Sequence, residues 1–368
     1  FGRPISLRPP NTFPLRGHLL FHEAFRIAAT TIVLLVLLPS AGMTQERWPL
    51  ALAFGSPRLA FHSLLAEQPK GSRGYVFSLA RRLAVQPGQD FPDVVQYGVS
   101  VSPVVRQEYN VNGGIPSDYL RIGDFLFKVD PDSRARNAVM AGLRASAGLS
   151  VAVARGTVLS FSGYKEYRRA VGDDLSVREH GGAVTLSHTR DDWSYIDMSA
   201  GQYEKRRKLG DDSTKYAVVT VGRIIGGARA TQDVSGTFMR IRDNSTWQNR
   251  VRFNIASVNP HLGLWRLSVE AGDRVEGRLL PTLSVTGAYS NILFGSPTTL
   301  SLSAIQERGG KFFGTERRDD ILVARADRRF GRRLDGYVSV ERRNSSVEAF
   351  SHTNIEAGFV IRGLGLVN

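Results

Sequence analysis

Alternation of apolar and polar residues dominates the chain from about residue 94 onward. In the stretch 139–153, apolar residues such as Val139 and Leu143 alternate with small or polar ones such as Arg144 and Ser146. A two-residue period over this length fits one long β-strand and no helix. The same period recurs at 251–255, 265–271, 300–304 and 354–362. The pattern predicts an all-β protein.

Strand length separates the two all-β architectures that produce such alternation. Strands of a soluble sandwich run about 5–6 residues, whereas strands that cross a membrane need about 9–11. Many alternating runs here are longer than a sandwich needs, so we expect a transmembrane antiparallel up-and-down β-barrel of about 14 strands. The predicted strands are 94–108, 137–153, 157–169, 176–188, 192–205, 214–225, 229–242, 246–257, 262–273, 279–291, 297–307, 319–329, 334–344 and 350–364.

The connections between these strands alternate in length. Short connections are predicted at 154–156, 189–191, 226–228, 259–261, 294–297 and 331–333. Longer or more charged ones are predicted at 109–136, 170–175, 206–213, 308–318 and 345–349. Bacterial outer-membrane barrels have short periplasmic turns and longer extracellular loops. Fourteen strands with both chain ends in the periplasm place every short connection on the periplasmic side.

The region before the barrel has a different pattern. Arg26 precedes the apolar run Ile27–Leu38, and the small residues Ser40, Ala41 and Gly42 follow shortly after this run. This order is typical of a secretory signal peptide and its cleavage site. Residues 1–44 are therefore interpreted as leader and signal peptide, although a buried core helix of a cytoplasmic protein has a similar pattern. Residues 45–93 show helical spacing and are expected to form a periplasmic linker or a short helical hairpin. The barrel then occupies 94–368.

Composition narrows the classes of function. The chain has no cysteine, 37 glycines and a net charge of +14, which leaves nucleic acid, an anionic membrane surface or acidic substrates as partners. The basic clusters at 205–208 and 342–343 lack the interleaved aromatic residues of a nucleic-acid platform. We therefore expect no nucleic acid, and outer-membrane lipid and lipopolysaccharide as partners.

Charged residues mark the face predicted to line the lumen. One interpretation is a conduit whose wall guides a polar passenger, and the other is that the charges pair with one another across a solvated interior. The candidate lumen-lining residues are Arg144, Arg252, Arg266, Glu270, Arg325, Asp327, Glu341, Glu356 and Arg362.

No catalytic constellation is visible in the predicted barrel. The pairs Ser187–His188 and Ser351–His352 are adjacent in sequence, so their side chains point to opposite faces of a strand. No metal-ligand spacing of the H-E-x-x-H kind occurs. We expect no enzymatic activity, no cofactor and no bound metal.

Several segments in order resemble the surface lipoprotein assembly modifier (Slam) family. They are Tyr109–Gly114, Phe125–Asp130, Phe312–Asp320, Asn344–Ser346 and Phe350, and the resemblance spans about residues 95–364. It implies a periplasmic helical-repeat domain before a fourteen-stranded outer-membrane barrel. Such proteins help lipoproteins, and in some cases soluble proteins, to reach the cell surface. The family's helical repeats are nearly absent from residues 46–90.

The expected function is a Slam-like pore in the outer membrane of a Gram-negative bacterium that assists translocation or display of a (lipo)protein. A secreted lipoprotein cargo and the barrel insertion machinery are the expected partners. A seam between 96–105 and 354–362 is where strand pairing could open. The alternative is a passive porin or small-solute channel, with the first long loop, 109–136, folded inside as a constriction.

Overall fold

A computed structural model describes residues 47–122, 125–227, 230–331, 333–361 and 365–367. Fourteen long antiparallel strands form a closed barrel, so the predicted fold class is confirmed. They are β1 (Asp93–Glu108), β4 (Ala138–Ala154), β5 (Thr157–Ala170), β6 (Ser176–Thr189), β7 (Ser194–Arg207), β8 (Gly210–Gly226), β9 (Thr231–Asp243), β10 (Thr246–Asn259), β11 (Gly263–Gly272), β12 (Leu280–Leu293), β13 (Ser296–Phe312), β14 (Thr315–Phe330), β15 (Leu334–Ser345) and β16 (His352–Ile361).

The barrel has up-and-down topology. Each strand pairs with the next along the chain, with β1 pairing directly to β4, and β16 returns to β1 to close the sheet. A short strand β17 (Gly365–Val367) also pairs with β1. Closure pairs the first strand with the last. Backbone groups at a free sheet edge would otherwise lack partners in a hydrocarbon environment, where water cannot satisfy them.

The two faces of the wall differ as the alternation predicts. Outward-facing residues such as Val99, Val251 and Ile355 are large, apolar and exposed to the surroundings of the barrel. Inward-facing neighbours include hydroxyl side chains, for example Ser100 and Ser146, whose Oγ atoms lie 2.7 Å apart. An apolar outer belt around a polar interior defines a transmembrane β-barrel.

Three short helices precede the barrel: α1 (Arg47–Ala53), α2 (Pro57–Glu67) and α3 (Arg73–Arg82). They lie at the rim where β4, β6, β8, β10, β12 and β14 end, which we name the helical rim. The opposite rim is named the far rim. Among the described residues, no helix has both the length and the hydropathy that a membrane-crossing helix needs.

The 29-residue connection from β1 to β4 (residues 109–137), which we name the far-rim segment, contains the hairpin of β2 (Tyr119–Ile122) and β3 (Phe125–Lys128). Its Val111 packs against Leu175 in the loop that follows β5. Its Leu120 and Val129 pack against Ala349 in the loop before β16. These contacts are with the tips of strands, so the segment covers the far rim.

Some strands are longer than predicted at the far rim. β8 begins at Gly210 where residue 214 was expected, and the β13–β14 hairpin continues to a turn at Phe313 and Gly314. Residues on both faces of these extensions are charged, so the apolar–polar period that reveals a strand is absent there. The predicted loops 206–213 and 308–318 are therefore mostly strand.

Candidate functional site: the plugged lumen

The helices α1–α3 fill the lumen at the helical rim, and we name them together the plug. Leu50, Leu59 and Leu64 of the plug are almost fully buried. They form one apolar cluster with inward-facing residues at the strand ends, Tyr195, Ile224, Val258 and Leu264. Helix α2 is buried around much of its circumference, as expected for an apolar helix surrounded by other elements. The plug and the barrel wall thus share one core.

A strained turn brings an aromatic side chain to the plug. Trp193, between β6 and β7, has a positive φ of 64°, which is rare for a bulky residue. Hydrogen bonds fix the backbone of Trp193: its N–H donates to the carbonyl oxygen of Arg190, and its carbonyl oxygen accepts from the N–H of Ile224, each at 3.0 Å. Its ring makes edge contacts with Phe61 and His62 of α2. The wall is therefore shaped locally to meet the helix.

Arg58 is the central polar contact between plug and wall. Its guanidinium donates two hydrogen bonds to the Asp197 carboxylate, at 2.6 and 2.8 Å, and a third to Thr189 Oγ1 at 3.0 Å. It also lies 4.1 Å from the centre of the Tyr195 ring. The Tyr195 hydroxyl donates to Asp233 at 2.6 Å. This bidentate, aromatic-backed arrangement fixes the orientation of α2.

Further polar contacts hold the ends of the plug. Arg47 donates to Glu67 and, at 3.0 Å, to the carbonyl oxygen of Gly227 in the β8–β9 turn. Arg266 of β11, one of the predicted lumen residues, donates to Phe54 O at 2.7 Å and to Ser56 Oγ at 3.0 Å. Arg266 therefore holds the α1–α2 turn.

His62 of α2 is the titratable group at the interface between plug and wall. Its ring packs against Trp193 and lies next to the backbone of Gly226. Burial is the main cause that holds the pKa of His62 below its ordinary value, and the positive charge of Arg47 adds to the effect. The neutral imidazole is therefore the form that fits the docked plug.

Two cavities remain beside the α1–α2 turn. The larger, of about 560 Å³, extends from Phe54 to Arg144, Arg325 and Asp327 on the wall. The smaller, of about 370 Å³, lies between α2 and the wall near Ser160 and Asp233. The turn thus divides the space inside the barrel.

A buried ion network lies on the inner wall toward the far rim. Arg168 of β5 is fully buried and contacts three carboxylates. Its Nη2 lies 2.8 Å from Glu108 and 2.6 Å from Glu179, and Nη1 bonds to Glu166. Arg106 adds an ion pair to Glu108 at 3.0 Å and one to Glu166. We name these five residues the Arg168 network.

A second network occupies the wall of β13–β15. Asp319 is fully buried and accepts from Arg317 at 2.7 and 3.0 Å, from Arg343 at 2.8 Å and from the Ser345 hydroxyl at 2.6 Å. Arg343 also pairs with Glu307 at 2.8 Å. Because every one of these residues belongs to a strand, the network ties the wall to itself.

The predicted lumen residues fall into separate groups. Arg144 lies 3.5 Å from Glu166 at the margin of the Arg168 network, and Glu341 lies 3.5 Å from Arg343. Arg252 and Glu270 pair across β10–β11 at 2.5 Å.

The other predicted lumen residues lie on different parts of the wall. Arg325 and Asp327 pair along β14, and Glu356 lies on β16 near the closure with β1. Arg362 lies outside the described residues.

Sequence reasoning missed the most buried charges, Glu166, Arg168 and Asp319. They lie in stretches where residues on both faces are polar. A usable signal is present nonetheless: Glu166 and Arg168, like Arg317 and Asp319, are opposite charges two residues apart on one face of a strand.

The basic clusters that were expected to meet lipopolysaccharide divide between the two faces. Lys205 pairs inward with Glu179, and Arg343 pairs inward with Asp319. Arg206 pairs with Glu204 on the outer side. Alternation along a strand therefore separates neighbouring basic residues.

Among the described residues, the closure between the first and last strands has fewer paired positions than the ladder between β1 and β4. Pairs of described residues join 104–107 of β1 to 357–360 of β16, and 98–100 to β17. On its other side, β1 pairs with β4 from Asp93 to Glu108. At the far-rim end, β16 continues to His352 beyond the last β1 partner.

Comparisons with known proteins find matches among solved structures. No protein-family model and no curated protein matches the chain. The β domain of the Bordetella autotransporter BrkA is 13% identical, with 73% of this chain and 99% of that chain covered and a TM-score of 0.30. Pseudomonas aeruginosa OprD is 10% identical (73% and 95%, TM-score 0.37), and the outer membrane protein OpdK of the same organism is 6% identical (75% and 99%, TM-score 0.37). Similarities this low carry no argument about function.

Proposed function

We propose that the chain is a gated outer-membrane conduit of a Gram-negative bacterium that assists translocation or surface display of a (lipo)protein, as Slam-like proteins do. The observation that carries the proposal is the plug, which occupies the lumen at the helical rim and is held there by a shared apolar core. A lumen that is closed by a docked segment suits a conduit for a polypeptide, which opens only during transport, better than a channel through which solutes pass continuously.

The closure between β1 and β16 supports a route for lateral release. Its described pairs cover fewer positions than the β1–β4 ladder, and β16 continues to His352 beyond its last described partner on β1. Ladder hydrogen bonds hold paired strands together, so an end with unpaired positions opens more readily. The chain needs no catalysis or cofactor for this role, because opening of existing contacts suffices.

The rival function is a porin-like channel for small solutes. The cavity of about 560 Å³ beside the α1–α2 turn, lined by Arg144, Arg325 and Asp327, is the observation that favours it. In that case the far-rim segment and the plug would only narrow the passage. The two functions differ in whether a surface protein depends on the barrel.

A disulfide across the closure tests the proposal. Val105 and Phe359 are register partners on β1 and β16, so V105C/F359C places two thiols within bonding reach. The control V105C/A141C joins the same β1 position to β4. The chain has no native cysteine to interfere.

The readout is protease shaving of intact cells, with and without the gene, followed by identification of the polypeptides lost from the surface. We expect wild type and the β1–β4 control to restore the lost protein, and V105C/F359C to restore it only with reductant. If no surface protein depends on the gene and the wild-type barrel conducts small solutes selectively, the porin function replaces the proposal.

A further inference from the structure

Three cations and one tryptophan form a patch on the outer wall toward the far rim. Lys215 of β8 lies opposite Arg242 of β9, which lies opposite Trp247 of β10. Arg240 is two residues along β9 from Arg242, on the same outer face. All four side chains are exposed. We name them the basic outer patch.

The three cations have no ion-pair partner in the described part of the chain. Two other outer-face arginines toward the far rim, Arg169 and Arg206, each have one. Arg169, for example, pairs with Asp174 at 2.8 Å. Asp243, which follows Arg242 in sequence, pairs with Arg278, and Asp273 accepts a hydrogen bond from Asn249.

Like charges directly opposite each other destabilise a sheet. The Lys215–Arg242 pair is such a contact, and Arg240 brings a third positive charge to within about 7 Å, the repeat of two strand residues. An anion bound between them removes the repulsion. The charge and the spacing of the three side chains therefore suit a bound anion.

Trp247 orients the two guanidinium groups. The Arg240 guanidinium lies 4.9 Å from the centre of the Trp247 ring, and that of Arg242 lies 5.9 Å away. Such cation–π contacts leave the N–H groups free to donate to a ligand. Arginines backed by an aromatic ring present a fixed fork, which suits a phosphate.

The position of the patch identifies the source of the phosphate. Toward the helical rim, the row of outward-facing residues beyond the row of Arg240 and Asn249 is apolar: Val219, Phe238 and Val251 are mutually in register and exposed. The patch therefore begins where the apolar belt ends. Tryptophan and basic residues at that level of a membrane protein meet lipid headgroups.

We propose that the basic outer patch binds the phosphate of a phosphorylated glycolipid of the outer leaflet, with its acyl chains along Val219, Phe238 and Val251. The site differs from the clusters at 205–208 and 342–343, because its cations all face outward and lack ion-pair partners. It requires that the far rim lies in the outer leaflet, and it does not require the translocation role.

Native mass spectrometry of the detergent-purified full chain tests the site with diphosphoryl lipid A as the probe. We expect R240Q/R242Q to weaken its binding about tenfold or more, since two charge-assisted contacts are lost. R169Q, which removes an outer arginine already paired with Asp174, should change it less than about twofold. Heat-modifiable migration in a gel checks that each variant is folded.

Two further probes separate the sources of the anion. Lipid A without phosphates should bind wild type and R240Q/R242Q equally weakly, and inorganic phosphate should not displace diphosphoryl lipid A. The probe should change the fluorescence of wild type but not of W247F. Equal binding of diphosphoryl lipid A to R240Q/R242Q and wild type, tight binding of the phosphate-free lipid, or displacement by inorganic phosphate would each overturn the proposal.

Discussion

The two rims of the barrel are closed by different physical means. At the helical rim, the plug buries leucines against strand ends in one apolar cluster. At the far rim, the Arg168 network and the Asp319 network join strands of the wall through charge-assisted hydrogen bonds. The plug is a segment inserted into the lumen, whereas the two networks belong to the wall itself, at the rim that the far-rim segment covers.

This difference locates the gate. The plug is a single stretch before β1, and its contacts with the wall can be broken together without breaking any barrel ladder. The far-rim networks cannot leave the lumen, because their members are strand residues. Loss of the plug should therefore change passage, whereas loss of a network should change the stability of the barrel.

The largest expected effect is a loss of barrel stability when the Arg168 network toward the far rim is broken. R168M leaves Glu108, Glu166 and Glu179 without their common partner. Because buried charges then lack compensation, the free energy of unfolding should fall by about 3–5 kcal/mol. The unfolding midpoint in urea measures it. The control R144Q removes a longer, more exposed contact and should cost less than about 1 kcal/mol. Equal effects of the two variants would contradict the network.

The second-largest expected effect is weaker docking of the plug when its apolar core is truncated. L64A removes a fully buried side chain from the shared core and should weaken docking by about 2–5 kcal/mol. Trypsin cleavage at Arg58 and Arg73 should accelerate, while the gel migration of the folded barrel stays unchanged. L65A truncates the exposed neighbouring leucine and should leave the cleavage rate close to wild type. Equal rates for both variants would be incompatible with a docked plug.

A smaller effect is expected from the Arg58–Asp197 contact. R58Q and D197N each break a bidentate, partly buried pair, and each should weaken plug docking by about 1.5–3 kcal/mol. The double variant should cost less than the sum of the two, because both changes remove the same contact. Trypsin cleavage at Arg73 alone measures this cycle, because R58Q removes the cleavage site at residue 58. Additive costs would show that the two residues do not interact.

The smallest expected effect is a pH dependence of plug docking that arises from His62. Its pKa in the docked state is lowered below the ordinary value of 6.5, so the undocked state takes up a proton first as the pH falls. Docking is therefore fully stable above pH 6.5 and weakens as the pH falls below it. Channel opening in planar bilayers should be more frequent at pH 5.5 than at pH 7.5 (roughly one unit on either side of the ordinary pKa). H62Q should lose this difference.

Sequence alternation predicted the barrel well because an apolar outer belt repeats every second residue. It failed where both faces are charged, as in the extensions of β8, β13 and β14. The helical spacing of residues 57–85 predicted short helices. It could not predict that they enter the lumen, because their partners Ile224 and Leu264 lie on distant strands. The Arg168 network likewise joins strands β1, β5 and β6, and only their register brings the charges together.

The most direct test is the conductance of the full chain and of a variant lacking residues 47–90, each reconstituted into planar bilayers. The gel migration of the variant first verifies that its barrel is folded. With the plug as the gate, the full chain should stay predominantly closed, and the variant should conduct ions steadily. Equal, steady conductance of both proteins would contradict the account.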